Sequence, residues 1–155
     1  MINIRKALTT DLKALSQIYT SQLTFHNNIE EIWNKSWFNT SEGTNWLADY
    51  IDREDKVVYL STHDEQIVGY LQAEVRFFGM KKSDPTAILT SIHVIDNYRC
   101  QGIGSELVKM FFTFAKNNKA RRAEVGVVYN NPEAIKFYKK YGFGDFLLTL
   151  SKDIS

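Results

Sequence analysis

The chain has 155 residues, 44% hydrophobic and 14% aromatic, and 19 lysines and arginines stand against 18 aspartates and glutamates. That is the size and composition of one domain, residues 1–155, with a substantial core; it excludes a disordered chain, and a net charge of +1 argues against nucleic acid as the main partner. One cysteine excludes an intrachain disulfide framework, no apolar run reaches membrane-spanning length, and the opening Met1-Ile-Asn-Ile-Arg-Lys lacks a signal-peptide core, so a cytoplasmic protein with no membrane partner is expected.

Ile2, Ile4 and Ala7 alternate with polar residues and predict a short opening strand. Thr9, Thr10 and Asp11 offer capping side chains ahead of Leu12, Leu15, Ile18, Tyr19 and Leu23, spaced for a helix with one buried face. Residues 25–38 place Ile29, Ile32, Trp33, Trp37 and Phe38 among polar neighbours and predict a second amphipathic helix. After a loop at 39–43, Trp46, Leu47, Tyr50 and Ile51 predict another short helix. The period then changes to two. Residues 57–61 and 67–77 read as antiparallel strands joined by the polar turn 62–66, and residues 87–94 read as a third strand.

Next comes a tight loop with Gly102 and Gly104, then Ile103, Leu107, Met110, Phe111, Phe114 and Ala115 at helical spacing. Glycines there leave backbone amides bare at a helix start, where partial positive charge suits a phosphate. Residues 123–129 form a β-rich run, and Pro132 opens a helix that stops at Gly142. Residues 143–150 predict a closing strand. Strands in a run followed by β-α-β-α-β argue a mixed α/β sheet with helices on its faces. The glycine loop then falls at the carboxyl end of a strand, where open α/β sheets hold ligands.

Three kinds of loop compete for this reading. A nucleotide-hydrolysing P-loop needs Lys-Ser/Thr after its last glycine, where Ser105-Glu106 stands. A dinucleotide loop needs a third glycine where Leu107 stands; Glu124 falls at the right remove for a ribose-binding acid, but at the wrong end of its strand. The third, Arg99-x-x-Gly102-x-Gly104, resembles the acyl-CoA pyrophosphate loop of the GNAT N-acetyltransferase superfamily. A second stretch, Asn131-Pro-Glu-Ala134-Ile-Lys-Phe137-Tyr138-Lys-Lys-Tyr-Gly142-Phe143, resembles that superfamily's N-x-x-A-x-x-F-Y-x-x-x-G-F element at every signature position. The likeness is close over residues 87–143, and the N-terminal third matches in element order and in Ile4-Arg5-x-Ala7.

The resemblance implies a GNAT-like fold: a central mixed sheet of about six or seven strands flanked by helices, splayed between strands 87–94 and 123–129, with acetyl-CoA as cosubstrate in the cleft. It implies an enzyme that moves the acetyl group directly to a primary amine of a small molecule or peptide, without a metal. The amides of Arg99, Cys100, Gln101, Gly102, Ile103, Gly104 and Ser105 are then expected to meet the pyrophosphate, with backbone favoured over the Arg99 side chain. Strand residues Ile92, His93 and Val94 are expected to pair with the pantetheine arm as an added strand would, and Asn131 to hydrogen-bond it, unless that side chain serves as a helix cap.

Tyr138 is the expected general acid for the departing thiolate, since a phenol of pKa ~10 can donate a proton in a dry cleft; packing against the sheet is the plainer account. Many relatives carry a glutamate base two residues before the position of Ile92, but Thr90 stands there. Glu74 is the nearest substitute carboxylate, against an Arg-paired strand glutamate or a water chain to solvent. Cys100 reads as a loop cysteine, and His26, His63 and His93 show no metal spacing. Trp33, Trp37, Phe38, Trp46 and Tyr50 serve either the core or an acceptor pocket, and Glu30-Glu31 and Asp52 to Asp55 are either solvated charge or an acidic rim that attracts a cationic amine. A homodimer is common in this superfamily and stays open. Thr90 also keeps open a CoA-binding regulatory module without turnover.

Overall fold

A computed structural model describes residues 1–154. Strand β1 (Ile2–Lys6) is antiparallel to β2 (Lys56–His63), β2 to β3 (Gln66–Arg76) and β3 to β4 (Thr86–Val94), while β5 (Arg122–Val125) is parallel to β4. The order across the sheet is β1-β2-β3-β4-β5. Helices α1 (Leu12–Asn27) and α2 (Ser41–Ile51) cover one face, where Leu15, Ile18, Tyr19, Leu47 and Tyr50 bury against Val58, Leu60 and Tyr70. The other face buries Tyr59, Leu71 and Leu89 beneath α3 (Ile103–Asn117) and α4 (Pro132–Lys139), through Leu107, Phe111, Phe114 and Tyr138. Alternation along β2 and β3 serves both cores at once, so these central strands are buried on both sides.

Local chemistry sets the element ends. Asp11 accepts the Leu8 amide at 2.8 Å and both terminal nitrogens of Arg5, which fixes the turn between β1 and α1. Thr40 Oγ1 accepts the Gly43 amide at 3.1 Å and caps α2. A Cβ on Gly43 would lie 2.3 Å from the Trp37 carbonyl oxygen, so no larger residue fits. The β2–β3 turn holds Asp64 and Glu65 at φ of 48° and 67°, the conformation of a tight hairpin.

The structure corrects the sequence reading in four places. The sheet has five strands among the described residues, not six or seven. Residues 143–150 form no strand. Phe143 packs on Phe112 and Tyr138, and Phe146 lies under the Arg122 guanidinium at 4.1 Å, but Leu147, Leu148 and Leu150 are exposed. Three consecutive apolar residues, 146–148, give this stretch no single face to bury, and the alternation that would seat a strand is lost. The helix expected over residues 25–38 does not form either. Helix α1 runs on to Asn27, whose side-chain amide brackets Trp33 with two hydrogen bonds of 2.9 Å and closes a loop instead. Only a 3-10 turn, Trp37–Asn39, remains of it. The fourth difference is smaller: the run read as 123–129 is a ladder only over Arg122–Val125.

Candidate active site at the parting of two strands

β4 and β5 pair from Thr86 opposite Arg122 to Leu89 opposite Val125, and there the ladder stops while β4 continues to Val94. The parting coincides with a bulge. Gln72 faces Ser91 but Ala73 faces Leu89, leaving Thr90 as the extra residue, its hydroxyl donating to the Gln72 carbonyl at 3.1 Å. Beyond the bulge, Ile95 donates to Val68 across the β3 ladder. In an antiparallel pair, hydrogen-bonded residues alternate, so His93 also faces β3, and the main-chain groups of Ile92 and Val94 face the open edge. His93 therefore stands apart from its two neighbours: its main chain is turned to β3.

The glycine loop lies directly beyond this edge. After a 3-10 turn at Asp96–Tyr98, Arg99 is extended, and Cys100 and Gly102 are left-handed at φ of 59° and 84°. Gly102 occupies the cap of α3 and brings no side chain to satisfy the first turn. Among the described residues, the amides of residues 100–105 donate to no acceptor; the first to do so is Glu106, to the Gly102 carbonyl at 3.1 Å. Bare amides at a helix N-terminus form an anion-binding concavity. Arg99 does not point its charge into it. Its Nε donates to the Val94 carbonyl at 2.9 Å, a terminal nitrogen pairs with Asp96 at 2.9 Å, and its plane covers the Phe25 ring at 4.4 Å.

Helix α4 closes the other side. Asn131 caps it, its Oδ1 accepting the Ala134 amide at 3.1 Å, which leaves the Nδ2 donors free for a second role. Phe137 packs against Gly104, and Tyr138 is 7% exposed within the α3–α4 core. Burial raises the Tyr138 phenol well above its ordinary value. Burial likewise raises the Tyr70 phenol above its ordinary value.

Other candidate residues lie elsewhere. Glu74 is opposite Ile88, where β4 and β5 are still paired; it accepts from Tyr50 at 3.0 Å and forms an ion pair with Arg76. Burial first, and then the Glu74 carboxylate, push the Tyr50 phenol up to about 12. Glu124 is engaged by Lys81 at 3.0 Å and Arg122 at 2.8 Å. The His93 side chain points to α1, its Nε2 3.5 Å from Ser21 Oγ, and burial, then the nearby Arg99 charge, lower its pKa to about 4. Trp37 and Trp46 meet edge to face at 5.7 Å, and Trp46 continues to Tyr50 at 4.8 Å. Trp46, 39% exposed, opens this aromatic group to solvent, whereas Trp33, 42% exposed, meets His26 edge to face at 6.0 Å. No group of three or more His, Cys, Asp or Glu side chains suited to a metal occurs among the described residues.

One polar group escaped the sequence reading. Gln22, 8% exposed on α1, accepts from the hydroxyl of Tyr70, which is fully buried, and from Ser91 Oγ at 2.9 Å, and donates to the Ile92 carbonyl at 3.4 Å. Tyr19, stacked on Tyr70 at 4.1 Å, donates to the Gln72 side chain. The signal was a glutamine on the apolar side of α1, three residues after Tyr19, and a second glutamine inside β3.

A family model described as "Acetyltransferase (GNAT) family" matches residues 13–143. An uncharacterised N-acetyltransferase of Methanocaldococcus jannaschii is 23% identical over 72% of the chain, which spans half the length of that relative. An uncharacterised N-acetyltransferase of Bacillus subtilis is 20% identical over 92% of the chain and 89% of its own length. Among solved structures, aminoglycoside acetyltransferase AAC(6')-Iy with a CoA-S-monomethyl-acetylneamine bisubstrate analogue superposes with a TM-score of 0.78, at 15% identity, over 100% of this chain and 99% of that one.

Proposed function

Since the chain belongs to the GNAT acetyltransferase family, we propose that it transfers the acetyl group of acetyl-CoA directly to a primary amine of a small molecule or peptide. The observation that carries this reading is a bare-amide loop directly beyond an open β4 edge, with Tyr138 buried in the core cluster against which Ile92 and Val94 pack. Acetyl-CoA, bound there as cosubstrate, supplies an activated thioester. The amides of residues 100–105 hold its pyrophosphate, the main chain of Ile92 and Val94 meets its two amides, and Asn131 Nδ2 donates to it while Oδ1 keeps its cap. Tyr138 supplies the proton for the departing thiolate; its raised pKa keeps that proton in place across the neutral and alkaline range.

The amine must arrive neutral. We assign its proton to solvent water, because Glu74 lies on the paired side of the bulge and is engaged by Tyr50 and Arg76. The half-exposed tryptophans and the acidic residues 30 and 31 favour a cationic acceptor. Such an acceptor matches in class the neamine portion of the analogue bound by the aminoglycoside enzyme. The test is an acetyl-CoA assay across a panel of primary amines, amino sugars and peptides, read by release of free thiol. Turnover with at least one amine is expected; CoA binding with no turnover across the panel replaces this reading with a regulatory module.

A further inference from the structure

The three-residue group formed by Gln22, Tyr70 and Ser91 meets the site from the α1 side and belongs to none of the roles above. Tyr70 Oη and Ser91 Oγ lie 2.8 Å apart and both contact Gln22 Oε1, so a triangle of three oxygens is served by two hydroxyl protons. With its oxygen so held, the Gln22 amide plane is oriented, and Nε2 is turned to the Ile92 carbonyl. That carbonyl belongs to the open edge of β4, one residue past Ser91 and two past the bulge. The strand has lost β5 as a neighbour at this point, so nothing in the sheet holds its outer edge. A buried network of neutral groups is costly if any member is unpaired, and it confers a unique geometry when all are paired.

We propose that Gln22 is a positioning residue that fixes the Ile92 edge for the acetyl donor; this rests on the acetyltransferase reading above. A carbonyl has two acceptor directions, so Ile92 can take Gln22 on one and a donor amide on the other. Gln22→Met removes the tether along with the triangle. Tyr70→Phe removes one hydroxyl but leaves Ser91 to hold Gln22, and it serves as the control for a merely structural effect. Acetyl-CoA dissociation constants from calorimetry, acceptor KM and Tm are measured for wild type and both variants.

Both variants are expected to lower Tm. Gln22→Met is expected to weaken acetyl-CoA binding about tenfold with acceptor KM within about twofold of wild type, while Tyr70→Phe keeps acetyl-CoA binding within about twofold. If Gln22→Met does not fold, Gln22→Glu at pH 8 takes its place, since a carboxylate accepts both hydroxyls but offers Ile92 no N–H. Unchanged acetyl-CoA binding in the Gln22 variant, or equal weakening in Tyr70→Phe, overturns the positioning role and leaves the acetyltransferase reading standing. A wild-type protein that does not bind acetyl-CoA overturns both.

Discussion

A methyl group placed on Gly104 would lie 3.3 Å from Phe137 Cζ. The first turn of α3 and the middle of α4 therefore meet at a residue without a side chain, and the two motifs legible in the sequence are one packed unit. Adjacent Tyr138 points into the core from the same helix, so Phe137 spaces α4 against the loop while Tyr138 reaches inward. Gly104→Ala forces the ring to yield by a few tenths of an ångström, and acetyl-CoA affinity is expected to fall several-fold in calorimetry with the fold retained.

Tyr138→Phe keeps the ring and removes only the phenol proton. Loss of an acid of this kind costs roughly 10²-fold or more in rate, so kcat is expected to fall by that order while acetyl-CoA affinity stays near wild type. The pH profile adds a sign. A phenol held above its ordinary value by burial stays protonated, so wild-type kcat is expected to show no alkaline loss from this group below pH ~10. An unchanged rate at saturating substrates in the variant would remove Tyr138 from the acid role.

Gly102 separates conformation from charge. A Cβ there meets nothing within 4 Å, yet φ is +84°. Gly102→Ala is therefore expected to destabilise by about 1 kcal/mol through backbone strain alone, measured by urea unfolding. Gly102→Glu adds a carboxylate beside the bare amides and is expected to abolish CoA binding in a protein that still folds. Retained binding would sink the assignment of the loop to phosphate.

Asn131 carries two roles on one side chain, and the aspartate variant divides them. Asn131→Asp keeps an oxygen for the Ala134 amide, so Tm is expected to hold, but it loses the Nδ2 donors and weakens acetyl-CoA binding. Asn131→Ala loses both and costs about 1 kcal/mol of stability besides.

His93 makes stability depend on pH. Its folded-state pKa of about 4 is below the ordinary 6.5, so between those values the unfolded chain binds the proton more readily. Its contribution is fully present above pH 6.5, falls as pH drops through the window and is gone below about 4, a loss of about 3 kcal/mol. His93→Gln is expected to flatten the wild-type loss between pH 7 and pH 4.5 in denaturant titrations; parallel curves would show that His93 does not titrate as described.

The chemistry-bearing loop and α4 were legible because their glycines, proline and cap are dictated locally, within a few residues. The strand meander was legible from period-two alternation. What escaped depended on distant partners. Asn27 turns the chain onto Trp33, residues 146–148 have no face to choose, and Gln22 finds its meaning only where Tyr70 and Ser91 come to it from other strands. Thr90 was read as a base that had gone missing. In the sheet it is the inserted residue of a bulge, and its hydroxyl is spent on the Gln72 carbonyl.

The short β4–β5 ladder makes a seam. The meander from β1 to β4 is stitched by long antiparallel pairings between chain neighbours, whereas β5 is joined to the sheet by four register pairs. The C-terminal part of the molecule, β5 with α4, is thus the unit that detaches at least expense, and its amides should exchange with solvent by local opening well before those of β2 and β3. A ligand bridging Ile92 on one side of the seam and Asn131 on the other would act as a suture, slowing exchange in β5 and α4 more than anywhere else in the chain.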